Sequence, residues 1–229
     1  MTNTRDVEPL VERSQTGVGY RAATAPPRAT FDGVQFTADW YLNHLLQGNV
    51  KMVNIGTGTS VVASAGAYDA TKPDVHMQVP QGVTVFLVNM ELNIDDLVDD
   101  QDMEAILAFA DSLDTTPTGG TAQTVYNMKN DLAAGSGVTV QSDVTAITSP
   151  ATAGNRYQEI WRANATLGAA PEAGSSEEGM FTRLAYSARA KDPMACVIGP
   201  SEITLTIGKA TFNYFSTWIW VEGETGIIV

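Results

Sequence analysis

Only two histidines, His44 and His76, occur in the chain, so any imidazole-based general base or nucleophile-activating pair must draw on one of them. Neither is flanked by a nucleophile-elbow pattern. His44 follows the aromatic pair Trp40-Tyr41, and His76 falls on the polar face of an alternating segment, so both read as solvated or satisfied structural histidines. The single cysteine, Cys196, excludes an internal disulfide framework and a thiolate metal site. Within Met194-Ala195-Cys196-Val197-Ile198 it reads as a small buried apolar residue. Gly56-Thr57-Gly58-Thr59-Ser60-Val61 looks like a phosphate loop but lacks the third glycine, and β-branched residues stand where a helix would start. Gly208-Lys209-Ala210 lacks the Ser/Thr and upstream glycine of a Walker loop, so both segments are expected to be turns.

Carboxylates are the other chemistry on offer. Asp95, Asp96, Asp99, Asp100, Asp102 and Glu104 form the densest acidic cluster, and Asp95, Asp96 and Asp99 are candidate ligands for a hard cation such as Ca²⁺. The spacing is not that of an EF-hand loop, which needs a central glycine and a terminal glutamate. The favoured reading is a helix start on a solvated acidic face. Glu159 interrupts an apolar strand face beside Tyr157 and Trp161, which would suit a sugar-binding or hydrolytic groove, although a tryptophan in an alternating strand usually belongs to the core. Asn164-Ala165-Thr166 fits the glycosylation pattern, but residues 1–14 are polar and charged and do not read as a secretory leader. No catalytic residue and no cofactor are assigned, and the chain reads as a non-enzyme.

The formal charge is -13, from 26 acidic and 13 basic residues, and only five of the latter are lysines. Phosphate binding needs a basic surface, so direct contact with nucleic acid is not expected. Such a surface fits general solubility. It also fits a high-salt medium, where a Debye length of roughly 3 Å screens self-repulsion. At 229 residues the chain can bury a large core, and no apolar run approaches the roughly 20 residues that span a bilayer.

Strand-like segments dominate. Residues 49–55, 60–65, 74–79, 83–94, 138–148, 156–167 and 180–189 read as strands. Residues 201–221 read as a hairpin turning at Gly208-Lys209, whose second strand offers Phe212, Tyr214, Trp218 and Trp220 on one side and Phe215, Ile219 and Val221 on the other. Such a strand belongs between two layers or between subunits. One helical interlude is expected at residues 95–113, where Met103, Ile106, Leu107, Ala110 and Leu113 recur at helical spacing, and a second short helix at 121–134. Residues 1–30, rich in Pro and Gly and poor in large apolar groups, read as an extended arm ahead of a domain at 31–229. The expected class is all-β: a jelly-roll sandwich or barrel with a short helical interlude and an upper insertion to which residues 101–175 contribute.

The arm at 1–30, the strand pair at 75–94 around Pro80-Gln81-Gly82 and the terminal 203–221 hairpin, set in an acidic, lysine-poor chain, together resemble the larger major capsid protein of tailless icosahedral viruses of halophilic archaea, the sphaerolipovirus type. That resemblance implies an upright single jelly roll bearing a turret. Copies would join one another and a smaller companion capsid protein in a shell over an internal membrane, which they or its proteins would touch. It places the protein in the virion after synthesis in the host cytoplasm. Two rival readings are a carbohydrate-binding or hydrolytic jelly roll and a phage fibre or head-decoration protein.

Overall fold

The computed structural model describes residues 40–66, 68–94, 102–111, 113–114, 116–148, 157–166, 182–188, 192–209 and 211–224, except for the side chains of Thr166 and Thr182. The expected arm at 1–30 and Asp95, Asp96 and Asp99 lie outside the described residues. The chain divides into compact units at 1–43 and 44–229, and everything below concerns the second unit unless stated.

One helix, α1 (Trp40–Leu46), precedes thirteen strands among the described residues. These are β1 (Val50–Ile55), β2 (Val62–Ala63), β3 (Val75–Val79), β4 (Val83–Ile94), β5 (Asp102–Ala110), β6 (Thr118–Gln123), β7 (Val125–Asn127), β8 (Thr139–Ala146), β9 (Tyr157–Thr166), β10 (Thr182–Ser187), β11 (Ala195–Ile198), β12 (Ser201–Gly208) and β13 (Asn213–Glu224). The first sheet runs β10-β4-β13-β1-β7, with β11 also on β4 and β2 also on β13, and the second runs β6-β8-β3-β12-β5-β9. Every pairing is antiparallel. The pairs β1–β13, β3–β12, β4–β10/β11 and β5–β9 are nested, first strand with last, and alternate between the sheets. That winding is a jelly roll, the class expected from sequence.

Alternation builds the core. Val75, Met77 and Val79 of β3, Ile203, Leu205 and Ile207 of β12, and Met103, Ala105 and Leu107 of β5 face Val53, Ile55, Tyr214, Trp218 and Trp220 across the sandwich. On β4 the core-facing parity changes between Val85-Leu87 and Met90-Leu92-Ile94. There the β13 register skips Val88, a β-bulge that turns both halves of a long strand inward.

Several local expectations are corrected. Residues 201–221 are not a hairpin: β12 pairs with β3 and β5, while β13 pairs with β1, β2 and β4, so Gly208-Lys209 starts an arch between sheets. The 75–94 pair is likewise an arch, because β3 and β4 lie in opposite sheets. Within the expected 95–113 helix, residues 102–110 are β5. Placed mid-sheet, it buries both Met103, Ala105 and Leu107 and, on its other face, Ile106, Ala108 and Ala110. A strand apolar at nearly every position contains every spacing, the helical one included. The second helix at 121–134 is absent as well; β6, β7 and a turn closed by Leu132 N–H on Lys129 O stand there. β5 and β9 belong to the jelly roll itself, so of the 101–175 range the described chain additional to the eight-stranded plan is the β6–β8 region, which widens both sheets at one side. On β13 the even positions are core, whereas Phe215 and Ile219 are only half-buried.

The Gly56-Thr57-Gly58 segment is a tight turn, as expected, with Thr57 N–H on Ser60 O at 2.8 Å and Ser60 N–H on Thr57 O at 3.0 Å. Gly56 has φ +65°, and a Cβ there would lie 3.1 Å from Ser60 O and 3.3 Å from Tyr214 O. Backbone offers no room to yield, so Gly56→Ala is expected to destabilise by roughly 1–2 kcal/mol. A urea unfolding curve checks this, and an unchanged midpoint would refute it.

Candidate functional site on the outward face of the second sheet

A two-layer sandwich normally gives its outer faces to water, but β12 is buried on both sides. Register across the second sheet sets four rows on its outward face. Thr139, Gln78, Glu202, Ala110 and Tyr157 form one, and Gln141, His76, Thr204, Ala108 and Glu159 the next. Thr206, Ile106 and Arg162, then Gly208, Glu104 and Asn164, complete the set.

Of the two expected readings of His76, solvated or satisfied structural, the structure shows the second, on the polar parity of β3 but out of water. His76 and Glu202 are both 0% exposed, with Nε2 and Oε2 2.8 Å apart. The residues after β5 fold over them. Asp114 N–H donates to Glu202 Oε2 at 3.3 Å, and the Gln78 amide donates to Asp114 O. The Asp114 carboxyl accepts from Thr148 N–H at 2.6 Å and Thr116 N–H at 2.9 Å. Its burial opposes ionisation, yet those bonds hold it below the usual carboxylate range. His76 Nδ1, Glu202 Oε1 and Gln141 Oε1 are buried without a hydrogen-bond partner. This is an acid–imidazole pair with an open imidazole nitrogen, but neither member reaches solvent.

Toward β9 the same face opens. Arg162 grips Glu159 through Nη2 at 2.7 Å and Nε at 3.2 Å, and Glu104 through Nη1 at 2.7 Å. Tyr68 donates its hydroxyl to Glu159 Oε1 at 3.2 Å, and Tyr157 is hydrogen-bonded to Tyr68 and Thr204. Burial, then Tyr157 and Glu159, push the Tyr68 hydroxyl above its ordinary range, so it stays protonated. Trp161, the other groove candidate, is core.

The two ends of the sandwich hold further buried polar groups. At one, Glu222 accepts from Ser136 Oγ at 2.6 Å, Gly137 N–H at 2.6 Å and Trp220 Nε1 at 3.2 Å. Lys51 beside it donates to Gly48 O and Ala134 O, at 3.0 and 2.5 Å, with burial lowering its pKa against the pull of Glu222. At the other end Asp74 accepts from Ala65 N–H and Ile207 N–H, each at 2.6 Å.

His44 closes α1, its Nδ1 3.3 Å from Asn49 Nδ2 and its pKa lowered by burial. Cys196 corrects its expectation: it is exposed, because its position on β11 alternates with the buried Ala195 and Val197. Among the described residues no three His, Cys, Asp or Glu side chains gather where they could hold a metal ion, and no helix is long and apolar enough to cross a membrane. Of the residues singled out from sequence, His76 and Glu159 share a row on this face, while His44 and Cys196 lie elsewhere. Glu202, Asp74 and Tyr68 were missed. The one available signal was Glu202 sharing the Thr204 and Thr206 parity opposite Ile203, Leu205 and Ile207. Comparison of the chain with protein-family models, with curated proteins and with solved structures finds no match.

Proposed function

We propose that the chain is a structural subunit of a viral shell: a major capsid protein that assembles with copies of itself and a companion capsid protein into an icosahedral coat over an internal membrane. Support comes from the apolar side chains at both lateral edges of the first sheet. Met194 (41% exposed), Cys196 and Ile198 (54%) alternate along and just before β11 at one edge, and Tyr126 (52%) and Leu132 (43%) stand at or beside β7 at the other. Edges of this kind favour lateral contact with neighbouring subunits. The jelly roll suits the reading without requiring it, since one fold hosts many functions. The charge of -13 fits a coat separated from its genome by a bilayer, which needs no basic arm.

In this reading residues 1–30 reach a neighbouring subunit. Deleting them is expected to leave a folded monomer that no longer forms shells with the companion protein. Circular dichroism, native mass measurement and electron microscopy at several salt concentrations test it. Normal shells from the deleted chain would overturn the arm's role. A full-length protein that stays solitary at every ionic strength, or forms only an isolated trimer as a fibre or decoration protein would, would overturn the shell.

A further inference from the structure

We propose that the outward face of β5 and β9 carries a shallow binding site for a neutral saccharide, with Tyr68 as its stacking platform, Glu159 and Arg162 as the groups that fix it, and Glu104 and Asn164 as its hydroxyl-binding groups. The inference stands apart from the shell reading, because it rests on a different surface.

Tyr68 is placed rather than loose. Its Cβ would be 3.2 Å from a Cβ at Gly208, so the segment carrying it sits directly on the end of β12, where a larger side chain would push against it. Its hydroxyl is tied to Glu159 two rows away, so the side chain spans the Thr206–Ile106–Arg162 row. Despite both anchors, the residue is 47% exposed. An aromatic ring held at both ends and still open to water is a preformed surface for the C–H face of a sugar ring, with little ordering entropy left to lose on binding.

Around it the polar groups are fixed as well. Arg162 lies between the two glutamates in register and bonds to both, so the carboxylates cannot swing away independently. Arg162 grips Glu104 through Oε1 alone, which leaves Oε2 to accept from a sugar hydroxyl, whereas both Glu159 oxygens are already bonded to Arg162 and Tyr68. Asn164, beside Glu104 in the last row and exposed, adds an amide. Two carboxylates against one guanidinium make the patch net acidic, which selects against sialylated, sulfated or other anionic glycans and for neutral ones.

The test is ligand-observed saturation-transfer NMR on the full chain, with glucose, galactose, mannose, N-acetylglucosamine and their disaccharides as probes and a sialylated trisaccharide as the charged control. The expected result is millimolar binding of at least one neutral sugar and none of the charged control. Tyr68→Ala should weaken that binding about tenfold, as loss of one aromatic stacking contact would. Gly208→Val, which adds no polar group and removes none, should weaken it by displacing Tyr68. Tyr68→Phe, which keeps the ring and loses only the tether, should weaken it less than Tyr68→Ala. Thermal midpoints establish that each variant is folded. Absence of binding by every neutral sugar, preference for the anionic control, or a folded Tyr68→Ala that binds as well as the parent would each overturn the site. Shell formation by Tyr68→Ala should be unchanged, so failure here leaves the shell reading standing and the reverse also holds.

Discussion

Glu202→Ala is expected to lower the unfolding free energy by about 2–6 kcal/mol, because it leaves two partners, the His76 imidazole and the Asp114 N–H, without their acceptor at about 1–3 kcal/mol each. The reason is geometric. Glu202 and His76 are both wholly buried, and Oε2 also accepts the Asp114 N–H. Truncation leaves the imidazole and that N–H without their acceptor in a low-dielectric layer. The cost lies in orphaning the partner, so it should shrink when both members go. His76→Leu combined with Glu202→Met removes the polar pair and restores volume, and is expected to be less destabilised than Glu202→Ala alone. Urea unfolding of the parent, both single variants and the double variant measures the coupling. A Glu202→Ala cost below about 1 kcal/mol, a surface-like value, would show that the pair is solvated and not the sealed layer described here.

The second large effect belongs to Asp74. Its two oxygens hold the Ala65 and Ile207 N–H groups, each at 2.6 Å, tying the segment after β2 to the end of β12. Its own carbonyl accepts from Asp143 N–H and the Tyr214 hydroxyl, each at 3.1 Å. Asp74→Ala would strand two backbone donors at about 1–3 kcal/mol each, so a total loss of about 2–6 kcal/mol is expected. Burial raises the carboxyl from 3.8 to about 6, with the two N–H bonds opposing that rise and the nearby Asp143 adding to it. Between those values the folded chain keeps a proton that the unfolded chain has released. Unfolding therefore releases a proton, and this group's contribution to stability falls as pH climbs from 3.8 to about 6, then stays level. A span of roughly two pH units corresponds to about 3 kcal/mol. Asp74→Asn cannot titrate, so the difference in unfolding free energy between parent and variant should change across that interval in the stated direction. A difference that is flat from pH 3.5 to 7 would refute the assignment.

Much of the strand content was open to reading because it is local. Alternation in Val75-Met77-Val79, Ile203-Leu205-Ile207 and Trp218-Trp220 identifies both the strands and the face each turns to the core, whatever they pair with. The chemistry was partly readable for the same reason. His76 falls on the polar parity of its strand, and Glu159 stands as a charge beside Ile160 and Trp161.

Pairing and the second face were decided only by the tertiary structure. A jelly roll joins its first strand to its last, Val50 to Val221, and sends neighbouring strands such as β3 and β4 to opposite sheets. A turn-like Gly82 or Gly208 then looks the same in an arch as in a hairpin, since turn chemistry reports that the chain bends and not where it goes. A polar residue likewise looks solvated unless something lies on it. Whether Glu202 and His76 face water or the chain around Asp114 depends on contacts between residues 126 and 88 positions apart, and no local pattern encodes them.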